Sequence, residues 1–141
     1  MERRLIPASD AQFRVVNEGG KNYLESMGIV FNKRSVNMGW GKKKIFEKID
    51  PKAVEGAYMD EIICKFNHDI NEVLGTTWAN TLTYSILPGG VKYRVELPET
   101  ETGNTVKVLA ERGDLRGSSF EFIPAEDGML WNDVEESGEI V

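Results

Sequence analysis

The stretch N-T-L-T-Y-S-I-L-P-G-G-V-K-Y-R-V-E-L, Asn80 to Leu97, decides the fold class. Apolar and polar residues alternate on both sides of Pro88-Gly89-Gly90. Alternation of period two gives a strand one buried face, whereas a helix would need a period near 3.6. The Pro-Gly-Gly between the two runs is a hairpin signal. Asn80–Leu87 and Val91–Leu97 are therefore expected as paired antiparallel strands.

Working outward, the same pattern recurs. Ala11–Val16 and Asn22–Asn32 are expected as strands around the turn Asn17-Glu18-Gly19-Gly20, where glycine supplies positive φ. Residues 33 to 44 hold Asn37, Gly39 and Gly41 and are expected as a loop. The run Gly41-Lys42-Lys43-Lys44 is expected to be part of that solvated loop. Glu61–Phe66 is expected as a short buried strand, followed by Asn67-His68-Asp69 and a turn near Gly75. Ser119–Ile123 and Leu130–Val134 are further expected strands, and Glu139-Ile140-Val141 resembles the start of another. Two helices interrupt this series. Ile49–Tyr58 opens with Asp50 as N-cap and Pro51 at the first helical position. Thr102–Arg112 carries Val106, Leu109 and Ala110 on one stripe and ends at Gly113. There is no internal repeat. The sum is a mainly β chain with short helices, expected to form a small closed antiparallel β-barrel or sandwich.

The chain has 141 residues, enough for one domain with a core and few for two. Its net charge of -6 argues against a partner recognised through phosphates or an anionic membrane surface. No apolar run approaches the roughly 20 residues of a membrane helix, and the N-terminus lacks a signal-peptide pattern. The single cysteine, Cys64, cannot form an internal disulfide, which fits a reducing, cytosolic compartment. One histidine and one cysteine do not make a set of N/S metal ligands, and no loop has EF-hand spacing. Neither metal nor cofactor is expected.

The residues left for chemistry are few. His68 is the one histidine. It follows an apolar strand, where a base can be held by a rigid scaffold, or it is a plain surface-turn residue. Cys64 lies four residues earlier, about 13 Å along a strand, beyond hydrogen-bond reach of His68; it reads as a small buried side chain. In R-G-D-L-R-G-S-S-F-E-F, Arg112 to Phe122, alternation sets Ser119, Glu121 and Ile123 on one face and Phe120 and Phe122 on the other. The two phenylalanines are expected to bury and so to fix Ser119. A strand-entry serine with no chemistry is the plain alternative. The segment is not the Gly-x-Ser-x-Gly elbow of α/β-hydrolases.

Taken together and in order, L-E-S-M-G-I-V-F-N, F-E-K-I-D-P-K-A-V, N-H-D, V-L-G, T-L-T-Y, V-K-Y-R-V-E-L-P and R-G-D-L-R-G-S-S-F-E-F resemble the caudovirus prohead serine proteases. That family is similar to the herpesvirus capsid-assembly proteases. The resemblance implies a small β-barrel wrapped by helices, a histidine base at His68 and a nucleophile at Ser119, with Ser118 where the family varies. It implies acyl transfer, with phage scaffold, the scaffold-like segment of the major capsid protein and the protease itself as substrates. It places the protein inside an assembling procapsid in the host cytoplasm, or in a bacterial cytoplasm as a prophage product. The herpesvirus relatives are dimers, so a homo-oligomer is conceivable, although no interface signature is visible.

The family's third residue, a Glu or Asp that orients the histidine, lies on a strand downstream of the nucleophile. Asp133, Glu135, Glu136 and Glu139 are downstream but not in the matching context. The expectation is a single domain over 1–141 that stops before that strand and is folded or nearly so, but weak or inactive as a protease. The competing expectations are a non-catalytic β-domain that binds capsid or scaffold protein, and a barrel in which Ser119 and His68 never meet.

Overall fold

A computed structural model describes residues 2–123 and 139–140. Strand β1 (Glu2–Pro7) leads into a single helical turn, α1 (Ala8–Ala11). Next come β2 (Arg14–Glu18), β3 (Lys21–Val30) and β4 (Phe46–Glu47). After a 3₁₀ turn over Pro51–Val54 follow β5 (Ile63–Lys65) and β6 (Val73–Thr76). The hairpin strands are β7 (Leu82–Leu87) and β8 (Gly90–Glu96). Helix α2 (Glu101–Arg112) precedes β9 (Gly117–Phe122), and β10 (Glu139–Ile140) comes last.

The expected hairpin is present: β7 pairs antiparallel with β8, with Leu82 opposite Val95 and Leu87 opposite Gly90. It extends into a four-stranded sheet of order β2-β3-β8-β7. Three two-stranded sheets accompany it, β1-β9, β5-β6 and β10-β4. All pairings are antiparallel except β10 with β4. Mainly antiparallel β structure with helices is thus as the sequence suggested. No sheet closes on itself among the described residues, so no closed barrel is seen: β2 and β7 are the outer strands of the largest sheet.

One face of that sheet supplies the core. Leu24, Leu82 and Val95 pack with Leu74, Leu97 and Val106, the last on α2. Helix α2 forms there because its ends are capped. The Thr100 hydroxyl accepts from Gly103 N–H, and Gly113, at φ 81°, donates to the last carbonyls. The helix expected over 49–58 is only the 3₁₀ turn, yet the Asp50 carboxylate does cap it, accepting from Lys52 N–H at 2.8 Å.

Two placements differ from expectation, and a third expected strand is not among the described residues. The strand expected at Ala11 starts at Arg14, because residues 8 to 11 make the α1 turn and Ala8 N–H donates to Arg116 carbonyl. Gly75 lies within β6 and not at a turn. A Cβ there would stand 2.6 Å from Val95 Cγ2, so the glycine permits close approach of β6 to the sheet. The expected strand Leu130–Val134 lies outside the described residues.

Candidate active site

Strand β9 carries both serines, and its pairing separates their roles. Leu5 of β1 stands opposite Ser119, Ile6 opposite Ser118 and Arg3 opposite Glu121. Residues opposite one another share a face. Ser118 therefore lies on the inward face with Ile6, which is buried. Its hydroxyl is 3.4 Å from the Tyr93 hydroxyl on β8. Ser119 lies on the other face, with Glu121, Leu5 and Arg3.

Phe120 and Phe122 do not enter the core as expected. Both are half-buried and stack on each other with centroids 5.5 Å apart. The Arg4 guanidinium lies 5.2 Å from the Phe122 ring and is gripped at two points by the Glu47 carboxylate, at 2.7 and 3.0 Å. A cation with its own carboxylate thus covers the phenylalanine face, where a hydrophobic layer was expected. The Glu47 hydrogen bond, against the opposing effect of burial, holds the Arg4 pKa above its ordinary value.

His68 sits in the connection between β5 and β6. Asn67 and His68 both have left-handed backbone, with φ 55° and 57°. Asn and His are among the side chains found there more often than most, though usually as single residues and not in succession. The connection is tied by Phe66 N–H to Glu72 carbonyl, Asp69 N–H to Phe66 carbonyl and Asn71 N–H to the Asp69 carboxylate. The β5-β6 register shifts between Cys64 and Lys65, just before it.

This turn delivers the His68 ring to β9. Nδ1 of His68 meets Oε1 of Glu121, two residues along the strand from Ser119. Glu121 also faces Arg3 Nε at 3.3 Å and Lys65 Nζ at 3.7 Å. Its side chain is only 17% exposed, and that of His68 27%. Burial pushes the Glu121 pKa up, but the His68 hydrogen bond and the charges of Lys65 and Arg3 outweigh it. The net effect is a carboxyl held below its ordinary value and therefore ionised near neutral pH.

The Ser119 hydroxyl makes no hydrogen bond to the His68 ring among the described residues. The two are brought to the same strand through Glu121. Cys64, as expected, is no partner of His68: it is on β5, packed against the core cluster, and burial pushes its thiol up to about 12. Beside the histidine turn lies a cleft of about 400 Å³, lined by Phe66, Asn67, Asp69, Glu72, Glu101 and Thr102 among others. No cluster of three or more His, Cys, Asp or Glu able to hold a metal occurs among the described residues. None of the described helices is long and apolar enough to cross a membrane.

Sequence reasoning set Glu121 on the Ser119 face but gave it no partner. The available signal was its position, two residues from Ser119 in an alternating strand. Its approach to His68 is purely tertiary.

A strand serine, an imidazole and an ionised carboxylate form the residue set of a serine hydrolase. The profile of the caudovirus prohead serine proteases matches residues 9–139, and the chain belongs to that family. At the level of the family this is a prohead serine protease. No curated protein and no solved structure matches the chain.

Proposed function

We propose that the chain is a serine endopeptidase in which Ser119 is the nucleophile and His68 the general base. Its substrates in this reading are phage scaffold, the scaffold-like segment of the major capsid protein, and the protease itself, within the assembling procapsid. The observation that carries the assignment is the placement of His68 on the same face of the strand that bears Ser119. Adjacent same-face positions on a strand are roughly 7 Å apart. With Nδ1 turned to Glu121, Nε2 is the ring nitrogen left to serve Ser119. Contacts between base and nucleophile are commonly loose without substrate and tighten in the complex.

In the first step Ser119 Oγ bonds to the scissile carbonyl carbon as its proton passes to His68 Nε2. The tetrahedral oxyanion collapses, the peptide C–N bond breaks, and the leaving amine takes the proton back from Nε2. Water, deprotonated by the same nitrogen, then hydrolyses the acyl-enzyme. Backbone N–H groups supply the oxyanion site in such chemistry. A small closed β-barrel like that of the herpesvirus proteases belongs to this same reading.

The second reading is a non-catalytic β-domain that binds capsid or scaffold protein. It is favoured by the missing hydrogen bond between Ser119 and His68. A fluorophosphonate probe separates the two. The protease reading expects covalent labelling that is lost in Ser119→Ala and in His68→Ala and kept in Ser118→Ala. No labelling of the wild type, or labelling that survives Ser119→Ala, would reject it.

A further inference from the structure

We infer that Glu121 is the positioning residue for His68, holding the imidazole in the tautomer and orientation that aim Nε2 at Ser119. This rests on the protease reading and supplies what that reading lacked, a carboxylate partner for the base. The expectation from sequence was an orienting acid downstream of every described strand.

Three observations converge on Glu121. First, its Oε1 meets His68 Nδ1, the nitrogen that an orienting carboxylate must engage to leave Nε2 free. Second, the carboxylate is itself fixed. Arg3 reaches it from β1 and Lys65 from β5, so cations from two different strands face it, and it keeps little exposure. No other charged or titratable group among the described residues is paired with it. Third, His68 is presented by consecutive left-handed residues. Such backbone costs of order 1–3 kcal/mol per strained residue and persists where the surroundings over-determine it.

Ionised Glu121 accepts only, so the proton between the two groups belongs to His68 Nδ1 when the ring is neutral. Nε2 is then unprotonated, the form a general base requires. Ser119 and Glu121 lie on one rigid strand, so nucleophile and orienter keep a fixed separation. An orienter within the described strands also removes the reason for expecting this chain to be weakly active.

Because His68 is the only histidine, ¹⁵N-histidine NMR reads this one ring without ambiguity. The full chain, at a pH where the ring is neutral, is expected to show a protonated Nδ1 and an unprotonated Nε2. In Glu121→Ala the balance should shift toward the Nε2–H form. Fluorophosphonate labelling of Ser119 should fall by about 10³- to 10⁴-fold, the scale of losing a histidine's orienting carboxylate. Glu121→Gln keeps the size of the side chain, guards against a folding defect, and should fall by a similar factor. Glu121→Asp should recover part of the rate.

An Nε2–H ring in the wild type, or a tautomer unchanged in Glu121→Ala, would overturn the inference. So would wild-type labelling rates in a folded Glu121→Gln. If instead the tautomer behaves as expected but Ser119→Ala still labels, the protease assignment of Ser119 fails and the Glu121–His68 relationship stands.

Discussion

A Cβ placed on Gly117 would stand 2.2 Å from the backbone carbonyl oxygen of Ile6. The two strands meet here with no room for a side chain, at the start of the ladder that carries both serines. Gly117→Ala must push β1 and β9 apart. A loss of about 1–3 kcal/mol is expected, the usual scale of overpacking against a fixed neighbour. Chemical denaturation measures that loss. Fluorophosphonate labelling should fall further than unfolding alone explains, because Ser119 shifts with its strand.

Ser118 and Ser119 are neighbours in sequence with opposite surroundings. Ser118→Ala removes one contact, to the Tyr93 hydroxyl. A stability change of about 0.5–1.5 kcal/mol is expected, with labelling retained. Loss of labelling in a folded Ser118→Ala would exchange the roles of the two residues.

The Arg4–Glu47 pair ties β1 to the short strand β4. Glu47→Gln leaves a guanidinium that is 14% exposed with only the more exposed Glu2 carboxylate as an ionic partner. A charge-assisted hydrogen bond is worth about 1.5–3 kcal/mol, and a fall in stability of that order is expected in thermal or urea unfolding. Replacing both partners together, Arg4→Met with Glu47→Leu, removes the charges and their partner demand while keeping an apolar cover on Phe122, and should be milder.

Glu121 gives stability a dependence on acid. Its carboxyl is held below the ordinary value in the folded state, so the unfolded chain binds the proton more readily. The contribution is present above the unfolded pKa of about 4.3 and is lost as pH falls through the folded value. Unfolding free energy measured from pH 7 downward should therefore decline less steeply in Glu121→Gln than in the wild type. An identical slope would show that the carboxylate gains nothing from its partners.

Cys64 makes the opposite prediction at high pH. Burial raises its thiol from 9.0 to about 12, so the folded state favours the neutral form. The contribution is full below the unfolded value and is lost as pH rises toward the folded one. Near pH 8 the thiol should resist iodoacetamide in the native protein and react promptly in denaturant. Tyr93, also raised to about 12 by burial, adds to the alkaline loss.

Much of the fold was legible because its signals are local. The β7-β8 hairpin was written in alternation and in Pro88-Gly89-Gly90, and α2 in the stripe of Val106, Leu109 and Ala110 and the stop at Gly113. What escaped depends on distant partners. Strand β1 has an almost wholly exposed sequence with Ile6 as its one buried residue, and it is a strand because β9 supplies the ladder. Gly75 looked like a turn and proved to be a close approach to Val95. The closed barrel was a matter of how sheets join, which alternation within a strand does not encode. At the site, His68 and Ser119 were singled out by type and position. Glu121 was hidden because a glutamate on a half-exposed strand is ordinary until a histidine from another strand pair is seen on it.

The pairing of β1 with β9 also orders events in time. During synthesis β1 leaves the ribosome ahead of β2 to β8 and α2, and has no ladder partner until β9 has followed them. The strand that bears Ser119 and Glu121 is completed late, and its alignment awaits docking of the earliest segment. A nascent chain therefore passes through translation with the strand of Ser119 and Glu121 still without its ladder partner in place.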